Sequence, residues 1–330
     1  MEERDIIIIG TGPAGLSAAV FLKLDGWDTL VLESSWIGGQ VAIASTVSNY
    51  PGFLPGDGSI LVEQLRTQVT APPPQGVGAE IRQENVTSIN ADENIVITDT
   101  HQYKGKAIII ATGSTMQKLG IPGEDKFKGK GVSYYAKIDA KQFAGKRVLI
   151  VGGGNSTVKS VLVAKAAGAS WVGLSHRREA LRAYPNMVKR LEKEDVEIMY
   201  NTEVVEIRGD NYVHSALVID NRNQDKKKIA VDWVVTCVGT QPNTSLARAA
   251  GLEIKSNYIV TNQKMMTSKP SIFACGEVAG SDRHIISCVA SGAAAGMSAS
   301  EFLALQRVRN GYMFKGAING KYADEYLAMM

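Results

Sequence analysis

An α/β fold of two repeated strand–turn–helix–strand units is what this sequence predicts, and three observations predict it. A β-branched run, Ile6 to Ile9, leads straight into a glycine-rich turn, a helical segment and a second short apolar strand. The same order of strand, turn, helix and strand returns from Arg147 onward. The length of 330 residues exceeds the roughly 250 that one core sustains and suits two domains.

Taken in order, Ile6–Ile9 reads as a strand buried on both faces, as parallel strands are. Gly10, Gly12 and Gly15 then spell G-x-G-x-x-G. The first glycine permits a tight turn, the second lets backbone approach a pyrophosphate, and the third lets the next helix pack on the strand. That helix would meet phosphate with its positive end. The next strand ends at Glu33, about 20 residues on, where a carboxylate accepts hydrogen bonds from both ribose hydroxyls. "AIIIATGS", Ala107 to Ser114, is a buried strand closed by a small-residue turn.

The second unit opens with strand Arg147 to Val151 and the glycines Gly152, Gly153 and Gly154, with Thr157 in the third small position. Its second strand ends near Ser175, and His176, Arg177 and Arg178, with Arg182 a turn later, stand where the first unit has Glu33. Cations in place of a carboxylate suit a ribose 2′-phosphate, hence NADP over NAD. Lys226, Lys227 and Lys228 form the longest charge run and read as a solvated hairpin edge. "SIFACGEVAG", Ser271 to Gly280, is a strand ending in Gly276 and Glu277. Two dissimilar fingerprints divide the labour, one for a resident flavin dinucleotide (FAD) and one for a diffusible nicotinamide (NADP).

Composition narrows the classes. Hydrophobic residues make up 45% and charged residues 21%, which is globular. A net charge of +3 is too mild to argue for nucleic acid. No apolar run approaches the roughly 18 residues that span a bilayer, and no signal peptide is read at the N-terminus, so a membrane is not expected. Cys237, Cys275 and Cys288 form no Cys-x-x-Cys, which argues against a metal site or a disulfide scaffold and for the cytoplasm.

With these pieces in place the chain resembles the flavoprotein disulfide reductases that use pyridine nucleotides, and within them the low-molecular-weight thioredoxin reductases. The carriers are "GTGPAG", "GGQV", "VSNYPGF", "ATGS", "VGGGN", "HRREALRA", "CVGTQPNT" and "ACGEVAG". The resemblance implies FAD contacts at Gly10, Gly12, Pro13, Ala14, Gly15, Glu33, Gly39, Gln40, Asn49, Thr112, Gly113, Gly276 and Glu277. It implies NADP contacts at Gly152, Gly154, Asn155, Ser156, His176, Arg177, Arg178 and Arg182. Lys159 and Ser160 stand where the family usually has two glutamates. The family order has the NADP domain, 116–245, inserted in an FAD domain of 1–115 and 246–330, and implies a homodimer.

Thioredoxin reductases carry a redox Cys-x-x-Cys just ahead of the second glycine turn, and here those positions read Tyr135, Ala136, Lys137 and Ile138. Neither phenol nor alkane can attack or resolve a disulfide. The expectation is therefore a ferredoxin-NADP reductase of the thioredoxin-reductase-like kind, relatives that lack the pair and often carry "GV.Y..K", as "GVSYYAK" does. Ferredoxin or flavodoxin is the expected partner, and the flavin itself is the redox centre. In those relatives a C-terminal extension stacks an aromatic ring on the flavin, a role open to Tyr312 or Phe314, while packing accounts equally for Tyr322 and Tyr326. Arg307, Arg309, Lys315 and Lys321 give the tail a basic lean toward an acidic partner, and the resemblance sets His284 near the flavin, where it is either a tuning group or a solvent-facing histidine at a helix start. The alternatives are an NAD(P)H oxidase or diaphorase using oxygen, quinone or free flavin, and a flavin-binding redox sensor or assembly module.

Overall fold

The structure, a computed structural model, describes residues 1–44 and 46–309. The chain opens with β1 (Glu2–Ile9), α1 (Pro13–Leu24), β2 (Thr29–Glu33), α2 (Gly58–Thr70), β3 (Glu80–Gln83), β4 (Val86–Asn90), β5 (Ile95–Thr98) and β6 (Gln102–Ile110). It continues through β7 (Ser114–Met116), β8 (Val132–Ser133), α3 (Ala136–Asp139), β9 (Arg147–Gly152), α4 (Asn155–Ala166), β10 (Trp171–His176), α5 (Pro185–Leu191) and β11 (Glu197–Tyr200). Then come β12 (Thr202–Gly209), β13 (Val213–Asp220), β14 (Lys226–Ala230), β15 (Trp233–Cys237) and β16 (Thr240–Pro242). The last elements are α6 (Ser245–Ala249), β17 (Ile254–Lys255), β18 (Tyr258–Ile259), β19 (Ile272–Ala274) and α7 (Ile285–Arg309). Two compact units result: Met1–Ser114 joined by the chain from Pro242 on, and Thr115–Gln241.

In the first unit the sheet runs β3-β2-β1-β6-β5-β4, with β19 also paired to β6. β1 lies parallel to both β2 and β6, so Ile6 faces Thr29 on one side and Ala107 on the other. Ile6 and Ile8 point into one core with Leu16 and Phe273, whereas Ile7 and Ile9 point into another with Leu30 and Leu32. Burial on both faces is why this strand is a continuous apolar run without alternation.

α1 packs on α7 at very short range. A Cβ on Gly292 would stand 2.1 Å from the Ala14 carbonyl oxygen, and one on Gly296 2.8 Å from that of Ala18. The segment Ile285–Val308 is long and apolar enough to cross a membrane by length and composition, which the sequence reading did not find. Half of its most apolar window is buried inside the protein, and its small residues are shaped to α1. Core packing therefore accounts for the apolarity.

The second unit is a parallel sheet, β11-β10-β9-β15-β8, with an antiparallel sheet β12-β13-β14. One face of the parallel sheet buries Val148, Ile150 and Leu174 with Val158 and Val161 of α4. The other buries Leu149 and Val234 with Val204, Ala216 and Val218 of the antiparallel sheet. Lys226, Lys227 and Lys228 lie exposed on β14, the edge of that sheet, where charge discourages further strand pairing.

Candidate functional site

The first glycine turn sits between β1 and α1. Gly10 has φ +107° and a Cβ there would meet the Ala111 carbonyl oxygen at 2.4 Å, while one on Gly15 would meet the Gly10 carbonyl oxygen at 2.0 Å. Both must be glycine for the turn to close. Gly12 differs, because nothing lies within 4 Å of where its Cβ would be. It caps α1 with no side-chain hydrogen bond, and Pro13 and Ala14 begin the helix. The turn thus offers bare backbone to a ligand, which is what a pyrophosphate requires.

Glu33 ends β2 beside this turn. Its Oε2 accepts from Thr11 N at 2.9 Å and Thr11 Oγ1 at 2.6 Å, and its Oε1 accepts from Ser35 N at 2.9 Å. A carboxylate has about four acceptor sites, so these bonds leave room for one ribose hydroxyl, fewer than the two expected from sequence. Thr11 was not singled out by the sequence reading, since the x of G-x-G carries no signal of its own.

A second group joins three chain segments. Gln40 Nε2 donates to the carbonyl oxygen and to Oγ of Ser114, both at 2.8 Å, and Ser114 Oγ donates to the Glu277 carboxylate. Gly39 precedes Gln40 at φ +55°, and Gly276 precedes Glu277 at φ +76° with its N–H on Ser291 Oγ. Gly113 has φ +62° and open space at its Cβ position. Thr112 is tied to Asn243 in both directions, Oγ1 to its carbonyl at 2.9 Å and carbonyl to its Nδ2 at 2.8 Å. Asn49 Nδ2 donates to His284 Nδ1 at 3.3 Å, and both residues are exposed. Ser114 closed the "ATGS" motif, so the signal for it was present but its role was not.

The second glycine turn repeats the device with one substitution explained. A Cβ on Gly152 would meet the Cys237 carbonyl oxygen and Thr157 Oγ1, each at 2.4 Å. Thr157 Oγ1 accepts the Gly154 N–H at 3.2 Å, so threonine in the third small position caps the turn it would otherwise crowd. Gly154 again has nothing within 4 Å of its Cβ position, and Ser156 is exposed beside it. Asn155 Oδ1 accepts the Tyr184 N–H at 2.9 Å, and Arg182 N donates to the Gly153 carbonyl at 2.7 Å. The loop after β10 is folded onto the turn.

Within that loop the four expected cations separate. Arg177, Arg178 and Arg182 are exposed and make no ion pair among the described residues. His176 is only 4% exposed, and its ring fills the space where a Cβ on Gly153 would stand. Its Nε2 is 2.9 Å from the Ala180 carbonyl oxygen, and because a carbonyl only accepts, Nε2 donates. His176 is a wall of this site and the arginines are its open charge.

The segment that the sequence resemblance sets at the dithiol positions is a short helical turn. Tyr135 precedes α3, Ala136 is buried, and Ile138 is half exposed. Tyr134 donates its hydroxyl to Glu124, a buried carboxylate that also accepts from the backbone of Leu119 and Gly120. The three cysteines are free thiols. Burial pushes the Cys237 thiol up to about 11, and burial with the Glu277 charge does the same for Cys288. Burial pushes Cys275 higher still. All three stay protonated at neutral pH, so none is poised as a nucleophile. Cys237 Sγ contacts Ser160 Oγ at 3.3 Å, a position where the sequence resemblance anticipated a glutamate. Of the basic tail, Arg307 lies over the Trp27 ring at 3.9 Å and pairs with Asp5 at 3.8 Å. Tyr312, Phe314, Lys315, Lys321, Tyr322, Tyr326 and the side chain of Arg309 lie outside the described residues.

Two bare glycine turns on the parallel strands of two sheets, one followed by a carboxylate and one by arginines, define an oxidoreductase that uses two dinucleotides. The chain belongs to the pyridine nucleotide-disulphide oxidoreductase family, whose match runs over residues 4–299. Its relatives include the thioredoxin reductase of Treponema pallidum (strain Nichols), 36% identical over 91% of this chain and 97% of that protein. The crystal structure of Lactococcus lactis thioredoxin reductase (FR conformation) matches with TM-score 0.84 at 33% identity, covering 91% of this chain and 99% of that one. The T. acidophilum thioredoxin reductase matches with TM-score 0.84 at 31% identity over 91% and 99%. FAD is accordingly the bound cofactor and NADP(H) the nucleotide substrate.

These relatives correct one expectation from sequence. A ferredoxin-NADP reductase, distinct from the thioredoxin reductases and partnered by ferredoxin or flavodoxin, is not what the comparisons show: many of the proteins this chain matches over nine-tenths of its length are thioredoxin reductases. The four positions 135–138 weighed too heavily in that expectation. They bear on one step of chemistry, whereas the fold and both nucleotide turns carry the kinship.

Proposed function

We propose that this chain is an NADPH-dependent flavoprotein of the thioredoxin reductase kind, delivering electrons from its flavin, with no dithiol of its own in between, to a thioredoxin-type disulfide. The observation that carries the reading is the pair of bare turns, one answered by Glu33 and the other by Arg177, Arg178 and Arg182, in a chain whose relatives include thioredoxin reductases. Bound FAD supplies the exchange of a hydride from NADPH for electrons to the acceptor.

The chain's own residues bind and orient. Gly10 to Gly15 would hold the FAD pyrophosphate on the amino end of α1, and Glu33 would take one ribose hydroxyl. Gln40, Ser114 and Glu277 form a hydrogen-bonded set that would hold the ribityl chain, flanked in the chain by Thr112, Gly113, Gly39 and Gly276, and the bonded pair Asn49 and His284 would add further contacts to FAD. Gly152, Gly154, Asn155 and Ser156 would hold the NADPH pyrophosphate, and Arg177, Arg178 and Arg182 would surround the 2′-phosphate with donors that no acid among the described residues occupies. Phe21 and Leu24 on α1 and Met297 on α7 are exposed apolar side chains on two packed helices, which supports a homodimer.

A second reading, a diaphorase passing electrons to quinone, free flavin or oxygen, is favoured by one observation. Tyr135 and Ile138 occupy the dithiol positions, and the three cysteines are protonated, so no thiolate of this chain serves the transfer. Anaerobic reduction of the holoprotein by NADPH, followed by oxidised thioredoxin, quinone or oxygen, separates the two. Fast reoxidation by thioredoxin supports the first reading, and reoxidation by quinone or oxygen alone supports the second. Failure of NADPH to bleach the flavin removes both. Replacing Arg177 and Arg178 by alanine should raise KM for NADPH about tenfold or more and leave NADH nearly unchanged; equal losses would remove the 2′-phosphate assignment.

A further inference from the structure

The arginine loop is held from outside its own strand, turn and helix unit. The carbonyl of Arg178 accepts the Asn201 N–H at 3.1 Å, and the carbonyl of Arg177 accepts from Asn221 Nδ2, also at 3.1 Å. Asn201 joins β11 to β12 in a left-handed conformation, φ +51°, and Asn221 opens the turn from β13 to β14. The two turns are tied to each other, since Asn221 N donates to the Asn201 carbonyl at 2.7 Å. Asn221 Nδ2 is also 2.8 Å from Glu203 Oε1 on β12, which fixes the amide's orientation with nitrogen toward the loop.

Two consecutive carbonyls held at fixed points set where the side chains of Arg177 and Arg178 leave the backbone. An arginine fork gains most from a phosphate when it is presented in one geometry, because little rotamer freedom is then lost on binding. The antiparallel sheet would otherwise have only a packing role in this unit.

We propose that Asn221 is a positioning residue for nucleotide specificity: from the β13–β14 turn it fixes Arg177 to receive the 2′-phosphate of NADPH. The inference rests on the reading of Arg177 and Arg178 given above. Asn221 touches no nucleotide itself and acts through the Arg177 carbonyl. One lost hydrogen bond of this kind should weaken NADPH about fivefold.

The test uses the full-length holoprotein, with KM for NADPH and NADH read from anaerobic flavin bleaching. Binding of 2′,5′-ADP and 5′-AMP is read separately by calorimetry. Asn221→Ala is expected to raise KM for NADPH about fivefold at unchanged kcat, to weaken 2′,5′-ADP to the same degree, and to move NADH and 5′-AMP less than twofold. In an Arg177→Ala background the same substitution should have no further effect on either phosphate-bearing ligand. Equal losses for NADPH and NADH, or an undiminished effect in that background, would overturn the proposal. If Arg177→Ala and Arg178→Ala themselves leave the preference for 2′,5′-ADP intact, the 2′-phosphate reading fails first, and the two failures are thereby told apart. Asn221→Ser, which also removes the amide donor but keeps a small polar turn residue, repeats the test should the alanine variant not fold.

Discussion

Thr236 is a single hydroxyl in the wrong surroundings. It is buried, its Oγ1 has no hydrogen-bond partner among the described residues, and strand alternation puts it on the face of Val234, in the core of Leu149 and Val218. Thr236→Val should raise stability by about 1 kcal/mol, seen as a later denaturation midpoint at unchanged slope. The thiols make a second residue-scale prediction. With Cys237 and Cys288 at about 11 and Cys275 pushed further, a thiol reagent at pH 8 should react slowly with the native protein and fully with the unfolded chain. Fast native labelling would mean that one of them is open.

Charge at the start of β1 gives the third. Arg82 first, then Arg4, hold the Glu2 carboxyl down at about 2, against an ordinary 4.5. A carboxyl depressed in the folded state contributes stability that is fully present above 4.5 and is lost as pH falls toward 2. Glu2→Gln should therefore flatten the acid limb of a plot of melting temperature against pH in that window. Little of this was legible in the sequence, because Glu2, Arg4 and Arg82 are scattered charges until β1, β2 and β3 lie side by side. The glycine turns were legible, since the backbone they require follows from local geometry. His176 was half legible: its type and position marked the loop, but only the structure shows its ring buried against Gly153.

Among elements, α1 and α7 depend on each other most closely. Gly292 has no room for a methyl group against the Ala14 carbonyl, so Gly292→Ala should cost about 1–3 kcal/mol in chemical denaturation and weaken FAD retention, because Ala14 belongs to the first glycine turn. The strands and helices carrying the two turns were readable from apolar runs and spacing. α7 does not stand out in the sequence as a long apolar helix, for its isoleucine, valine, alanine, methionine, phenylalanine and leucine are interrupted by glycine and serine. The short strands β7, β8 and β16 to β18 have two or three residues each and leave no periodic trace.

At the scale of the whole molecule, a unit of residues 115–241 set between two halves of another predicts two ligand-specific responses. Calorimetry of the apoprotein should show a transition that FAD raises and one that 2′,5′-ADP raises, each by mass action on its own unit. A single transition moved equally by both would argue for one cooperative whole. That two dinucleotide units exist was plain from the repeated fingerprint. Which acceptor the electrons reach was not, because the surface that meets a partner has no comparable local rule, and four changed residues near Tyr135 spoke louder than the rest of the chain.

The mutual bonds of Thr112 and Asn243, with the Gly113 carbonyl taken by the Asn243 N–H, close the outer unit at the point where the chain leaves and returns. Viewed from the outer unit, everything between them is a loop already cinched at its neck. Such a loop can grow, shrink or be exchanged at small entropic cost, since closure depends only weakly on length. The clasp makes the nucleotide unit a replaceable cassette, and the place to cut for a grafted domain is just beyond Gly113 and just before Asn243.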